Sequence, residues 1–230
     1  KFGGRYIDSL SPEEIEDWLI DLEHLSNHTK NQILYTFRIV LDEARRYQLI
    51  ESNPARKFDT FAPNHSKRDI YDERELRALF PLDMATFSRV WEDFRVGTMS
   101  FLILTTGMRH GEARALKWKD IHARPEQNYV MISKGVKHNG SIGSTKNGEA
   151  RLAILIDEVI PFLMQLRKLS PYNGPDDYIF TLNGKRPYWT NYSYKHLTRA
   201  CENAGVEKEG RKLDFHSFRH TFITQQRMQN

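Results

Sequence analysis

Apolar residues recur at helical spacing in the first part of the chain. Ser11, Pro12 and Glu14 form a helix-start signal, an N-cap followed by a first-turn proline and a capping-box glutamate. Two stripes follow, one at Ile15, Trp18, Leu19 and Leu22 and one at Ile33, Leu34, Phe37, Val40, Leu41 and Ala44. The pattern predicts two amphipathic helices that share a core.

The polar face of the second predicted helix is basic. It carries Lys30, Arg38, Arg45 and Arg46. Such a face is either a solvated helix surface or a surface that lies along a phosphate backbone, and the sequence leaves both alternatives open.

A polar, turn-rich stretch follows the helical region. "ESNPARKF" ends it, because Asn-Pro disfavours continuation of a helix, and "DTFAPNHSKRDI" has little apolar content. We therefore predict a helical domain over residues 1–60, a linker over 61–69 and a larger domain over 70–230.

The larger domain alternates helical and strand-like patterns. One long helix is predicted over "FSRVWEDFRVGTMSFLILTTG", ending at Gly107, and another over "EARALKWKDI". "NYVMIS" and "ARLAILI" predict a hairpin with a long mobile loop between its strands. Further helices are predicted over "YDERELRALF", "DEVIPFLMQLRKL", "TNYSYKHLTRACENAGV" and a last segment capped by Asp214. The expected fold class is mainly α with a small antiparallel β-sheet (α+β).

Composition indicates an ordinary folded protein. Hydrophobic residues make up 39% and charged residues 28% of the chain. No apolar run is long enough for a membrane span and no signal peptide is visible, so we expect a cytoplasmic or nucleoid-associated protein with no membrane partner. A lone cysteine, Cys201, excludes an intrachain disulfide and a multi-cysteine zinc site, and we interpret it as a small buried residue.

The charge is unevenly distributed. The net charge is +4, but residues 1–65 hold eight Lys/Arg against eleven Asp/Glu, and residues 66–230 hold twenty-six against nineteen. This favours a polyanionic partner bound mostly by the second part.

Arg109 stands at the end of a strongly apolar helix, after Gly107. Because that helix needs no surface charge, a rigid support presents the arginine to a partner, and Glu112 at i+3 is placed to hold its guanidinium. An interdomain salt bridge is the alternative.

"HSFRHTF" places His216 and Arg219 on one face of the last helix. Two arginines and a histidine suit a phosphate diester, because a guanidinium fork matches two phosphate oxygens. His216 and His220 also have the spacing of a helical zinc pair, but no glutamate lies between them. We interpret His220 as a packed, hydrogen-bonded core residue.

The loop before the second strand is rich in lysine. Lys146 faces water, or it donates a proton to a departing oxygen if neighbouring arginines lower its pKa. Lys134 and Lys137 join the basic helix face as candidate residues for binding a phosphate backbone.

Three separated motifs, "TTGMRHGEARALKWKDI", "TKNGEAR" and "HSFRHTF", resemble in order and spacing the tyrosine recombinases, also called phage integrases. The resemblance covers roughly residue 70 to the end. The upstream segment, ending "ARRYQLIESNPARKF", is similar to the core-binding domain of that family.

The resemblance implies a C-shaped clamp around double-stranded DNA. It implies that Arg109 and Arg219 hold the scissile phosphate, that Lys146 protonates the leaving 5′ oxygen, and that His216 assists, with Glu112 and His220 in support. It further implies a 3′-phosphotyrosyl intermediate, a Holliday junction, a tetramer on paired sites, accessory DNA-bending proteins, a mobile element of a bacterium or phage, and no metal or nucleotide cofactor.

The sequence departs from the family pattern at the nucleophile. No tyrosine occurs after Tyr194, and the sequence stops at Asn230. We therefore expect a missing nucleophile beyond residue 230, a missing upstream portion, and a fragment that binds DNA without cleaving it. A catalytically inactive DNA-binding regulator is an alternative. A metal-dependent phosphodiesterase is another, although the carboxylate cluster for two metals is lacking.

Overall fold

The computed structural model describes residues 1–62, 69–124, 127–145 and 148–229. The chain divides into two compact units, residues 1–67 and 68–230. In the described part of the chain, no helix is both long and apolar enough to cross a bilayer.

The first unit contains two main helices, α1 (Pro12–Ile20) and α2 (Asn27–Arg46). The Ser11–Glu14 capping box predicted from the sequence is present at the start of α1. The buried core is formed by both helices and the segment that follows: Ile15, Leu19, Leu34, Leu41, Ala44, Ile50 and Ala55. The prediction for Val40 is wrong, because its side chain is 55% exposed on the outer face of α2.

The second unit contains seven helices in its described residues. They are α3 (Glu73–Leu79), α4 (Met84–Val90), α5 (Phe94–Thr106), α6 (His110–Arg114), α7 (Ile160–Leu169), α8 (Thr190–Asn203) and α9 (Phe215–Gln229). Helix α5 is buried over most of its length and packs against α6, α7, α8 and α9. It is the central support of the unit, and Cys201 of α8 is fully buried as predicted.

The single long helix predicted before Gly107 is in fact two helices. Asp93 stands between α4 and α5, and its Oδ1 atom accepts hydrogen bonds from the backbone N–H groups of Arg95 and Val96. The indole of Trp91 donates to the Leu79 carbonyl at 2.7 Å in the core. The side-chain cap therefore starts a new helix where the hydrophobic pattern alone shows no interruption.

A three-stranded antiparallel sheet has the order β1 (Ile121–Arg124), β2 (Gln127–Ile132) and β5 (Arg151–Ile154). The two predicted strands are β2 and β5, and they pair with Val130 opposite Ala153. The prediction of helix over "EARALKWKDI" is wrong beyond Arg114, because a 3-10 turn at Trp118–Asp120 leads directly into β1.

The loop between the predicted strands has structure of its own. It contains β3 (Lys134–Val136) and β4 (Ile142–Ser144), which pair as a separate antiparallel hairpin. Strand β3 lies against α6, where the Val136 carbonyl oxygen would be 2.5 Å from a Cβ at Gly111. The absence of a side chain at Gly111 thus lets the hairpin approach the arginine-bearing turn.

Candidate active site

The turn after α5 brings the two separated arginine motifs together. Gly107 has φ of 61°, in the left-handed region that glycine adopts without strain, and it ends α5 as predicted. The aromatic ring of Phe222 from α9 packs where a Gly107 side chain would stand. Arg219, also on α9, donates a hydrogen bond from Nη1 to the Gly107 carbonyl oxygen.

Arg109 directly precedes α6 and is held by Glu112. The Arg109 Nη1 atom donates to Glu112 Oε1 at 3.0 Å, and its backbone N–H donates to Oε2 at 2.8 Å. The Arg109 side chain is 36% exposed and that of Glu112 only 3%. A buried carboxylate therefore orients a guanidinium that still reaches solvent.

A third arginine, Arg151 of β5, binds the same carboxylate. Its Nη1 and Nη2 atoms donate to Glu112 Oε1 and Oε2 at 3.2 and 2.6 Å. Burial opposes the charge of Glu112, but the hydrogen bonds from Arg151 and from the Arg109 backbone lower its pKa below the usual range. The sequence motifs gave Arg151 no role. The available signal was an arginine at the first position of an otherwise apolar strand.

The charges of the arginines act on one another. The pKa of Arg219 is lowered, first by burial and then by the positive charge of Arg109, with a further contribution from Arg151. Three guanidinium groups and one carboxylate leave an excess of positive charge at this turn. Such a site favours an anion.

A cavity of about 540 Å³ opens beside Arg109. It is lined by α6, the β3–β4 hairpin and α9, through Arg109, Gly111, Glu112, Gly135, Val136, Lys137, His138, Ser144, Thr145 and His216. Asp214 caps α9 as predicted, because its Oδ1 accepts from the His216 and Ser217 N–H groups. Lys146 lies outside the described residues, and Thr145, the residue before it, is part of the cavity wall.

His110, to which the sequence assigns no role, is the first residue of α6 and packs against α8 and α9. Its ring stacks on Phe215 with centroids 4.2 Å apart, and its Nε2 atom is 3.0 Å from the Ser193 hydroxyl. Burial, and then the charges of Arg114 and His216, lowers its pKa from 6.5 to about 3. The ring is therefore neutral and positions the turn rather than binding an anion.

A model of the phage integrase family matches residues 83–227, which include α5, Arg109, the sheet and most of α9. The chain belongs to the phage integrase family, the tyrosine recombinases. A search of the curated proteins finds no significant match.

Several solved integrases have a similar fold. The Tn1549 transposon integrase, in complex with a circular intermediate DNA, matches with a TM-score of 0.77 and 17% identity over 97% of this chain and 75% of that one. A lambda integrase fragment, a dimer bound to a COC′ core site, matches with a TM-score of 0.72 and 17% identity over 98% of this chain and 76% of that one. A lambda integrase tetramer bound to a Holliday junction matches with a TM-score of 0.69 and 17% identity over 95% of this chain and 60% of that one. At these identities the likeness is one of fold.

The basic helix face in the first unit is smaller than the sequence predicts. Lys30 is only 7% exposed, because its ammonium group turns back to donate to the Ile20 carbonyl at 2.9 Å, at the end of α1. The Arg38 guanidinium donates to the backbone carbonyls of Ala55 and Phe58. Both side chains therefore hold the unit together. Lys30 is too buried to face a phosphate backbone, whereas Arg38 is half-buried and its part in DNA binding stays a prediction.

The remaining predicted DNA-binding residues are exposed. Arg45 lines a cavity of about 730 Å³ in the first unit, and Arg46 pairs with Glu43 at 2.6 Å. Lys134 and Lys137 project from the hairpin beside the candidate active site, and Lys137 lines its cavity. These hairpin lysines extend the positive surface from the arginines outward.

His220 is half-buried and is not part of the core, in contrast to the prediction. His220 comes two residues after the fully buried Phe218 and therefore lies on the opposite side of α9. Among the described residues, no group of three His, Cys, Asp or Glu side chains is placed to hold a metal ion. The described residues therefore provide no third ligand that could complete a zinc site with His216 and His220.

Proposed function

We propose that the protein is a site-specific recombinase that cuts and rejoins duplex DNA for a mobile element, through a 3′-phosphotyrosyl intermediate and a Holliday junction. The observation that carries this proposal is the convergence of Arg109 and Arg219 at the Gly107 turn, beside a cavity that His216 lines. Membership of the phage integrase family supplies the reaction class.

The arginines suit the charge that develops during phosphoryl transfer. Each guanidinium is permanently charged and donates in a plane that matches two phosphate oxygens. Fixed donors of this kind stabilise a transition state more than a ground state, because the charge on the equatorial oxygens grows. His216 assists proton transfer and phosphate binding, and Lys146 protonates the departing 5′ oxygen.

The attacking hydroxyl has to come from a tyrosine elsewhere. Among the described residues no tyrosine lines the cavity. Tyr188 is buried, and Tyr192 donates to Asp93 at 2.6 Å, while burial and that carboxylate raise the pKa of Tyr192 to about 12. We therefore assign the nucleophile to a tyrosine outside residues 1–230, so that these residues alone bind DNA without cleaving it.

The two units are proposed to grip the duplex as a C-shaped clamp, with residues 1–60 acting as a core-binding domain. The excess of basic residues after residue 65 supports a larger share of phosphate contacts for the catalytic unit. Assembly as a tetramer on paired sites, with accessory DNA-bending proteins, completes the proposal. Its support is the fold shared with a lambda integrase tetramer bound to a Holliday junction.

A DNA-binding regulator with the same fold is the second candidate, favoured by the lack of a tyrosine at the cavity among the described residues. One experiment separates the two. Bound duplexes are selected from a random pool, and the natural full-length protein is then incubated with the selected site carrying a nick that traps the intermediate. A recombinase gives a detergent-resistant adduct containing phosphotyrosine. A regulator binds the same site and gives none.

A further inference from the structure

The Glu112 carboxylate is held from two sides. Arg109 supplies two of its hydrogen bonds, one from the guanidinium and one from the backbone, and Arg151 supplies the other two. A carboxylate offers about four acceptor positions, so this set saturates it. Arg151 belongs to β5 and reaches the carboxylate from a part of the chain 39 residues away.

We propose that Arg151 is a positioning residue that fixes the direction of the Arg109 guanidinium through the shared Glu112 carboxylate. The role rests on the proposed function, in which Arg109 binds the reacting phosphate. Arg151 differs from Arg109 in that it is not among the residues that line the cavity, and each of its Nη atoms donates to Glu112.

The local charge balance shows why a second cation is needed. Glu112 is almost fully buried, and a buried carboxylate that loses half of its hydrogen bonds is destabilised. New hydrogen bonds from neighbouring donors would then stabilise it. Arg109 is already in contact with Glu112, and of its guanidinium nitrogens only Nη1 donates to the carboxylate. Without Arg151, the remaining Arg109 donors would turn inward, away from the cavity.

The fold supplies a closely matched control. Arg95 binds the buried carboxylate of Asp93, with side chains 34% and 6% exposed, against 38% and 3% for Arg151 and Glu112. Asp93 caps α5, and neither residue lines the cavity beside Arg109. Replacing Arg95 therefore removes a comparable ion pair without touching Arg109.

The test follows the Arg109 Nε–Hε resonance by ¹⁵N NMR in residues 1–230, assigned with Arg109→Lys, during titration with inorganic phosphate. In Arg151→Met we expect a shifted Arg109 resonance before phosphate is added, and phosphate binding at Arg109 weakened by about tenfold. Arg95→Met is expected to leave both unchanged. Arg151→Lys keeps the positive charge but not the planar guanidinium group. Its Arg109 resonance and its phosphate affinity should lie between those of wild type and Arg151→Met.

Thermal melting first identifies the variants that are folded. If Arg151→Met does not fold, the comparison is made with Arg151→Lys. An Arg109 resonance and phosphate affinity unchanged in folded Arg151 variants would overturn the proposal. Equal effects in Arg95→Met would overturn it as well, since they would indicate a general loss of structure. Wild-type protein that binds no phosphate at Arg109 would count against the proposed function, while the resonance shift would still report on positioning.

Discussion

Arg219 donates a hydrogen bond to the backbone carbonyl of Gly107, two positions before Arg109. This single contact joins two motifs that lie 112 residues apart in the chain. It places the second arginine at the same turn that presents the first, on a support formed by α5 and α9. The site is therefore a property of the folded unit and not of either motif alone.

Gly107→Ala should destabilise the second unit strongly. A side chain there is strained by the positive φ and also displaces the Phe222 ring, so we expect a loss of about 2–4 kcal/mol in the free energy of unfolding. Chemical denaturation measures it. Gly205→Ala is the control, because Gly205 also has a positive φ but open space around it, and should cost only about 1 kcal/mol. Equal losses at the two positions would contradict the close packing of Phe222.

Arg109→Ala should abolish covalent capture of DNA by the natural full-length protein. Duplex binding should weaken by less than about tenfold, because one phosphate contact among many contributes about 1 kcal/mol, and tenfold in affinity corresponds to about 1.4 kcal/mol. Adduct yield on a nicked duplex and fluorescence anisotropy measure the two quantities separately. Undiminished adduct formation by Arg109→Ala would rule out its role in the chemical step.

The neutral, buried His110 should make the second unit less stable in mild acid. Its pKa is about 3 in the folded protein and 6.5 ordinarily, so between these values the unfolded chain binds a proton that the folded one does not. Stability is therefore lost as the pH falls through this range, by up to about 1.4 kcal/mol per pH unit.

His110→Phe should flatten this pH dependence while lowering stability at neutral pH through loss of the Ser193 contact. The free energy of unfolding, measured by denaturation at several pH values, gives the slope. His138→Asn, at an exposed position, should leave the slope unchanged. A slope that is the same in wild type and His110→Phe would show that the ring is not buried in its neutral form.

The ionised Asp42 carboxylate should stabilise the first unit at neutral and moderately acidic pH. Hydrogen bonds from Arg56 and then Asn53 lower its pKa from 3.8 to about 2. Its contribution is fully present above the ordinary value and is lost as the pH falls toward 2. Asp42→Asn should remove that dependence, as followed by the NMR signal of the Trp18 indole, whereas Asp21→Asn at an exposed position should not. An unaltered acid transition in Asp42→Asn would contradict the pairing.

Local signals explain which elements the sequence could predict. The capping box at Ser11 and the glycine stop at Gly107 act within one helical turn, and both are present in the structure. The hydrophobic pattern does not predict the helix break at Asp93, because apolar residues continue on both sides of it and only the side-chain cap marks the new start. The sequence does not predict the hairpin β3–β4, because strands of only three residues each are too short for an alternating pattern to appear.

Long-range contacts explain what the sequence could not predict in the site. The Arg109–Glu112 pair follows from helical spacing, whereas the Arg151–Glu112 pair joins different elements and leaves no periodic trace. Lys30 occupies a polar position on α2, yet its flexible stem lets the ammonium group reach the end of α1. Tertiary contacts thus decide which basic residues remain available for a ligand.

The central claim is that Arg109 and Arg219 bind one and the same DNA phosphate. The most direct measurement is a crystal structure of residues 1–230 with the duplex recovered by selection from a random pool. The account predicts a single phosphate beside the cavity, whose oxygens accept hydrogen bonds from both guanidinium groups. A duplex bound on another surface, or a phosphate that contacts only one of the two arginines, would contradict it.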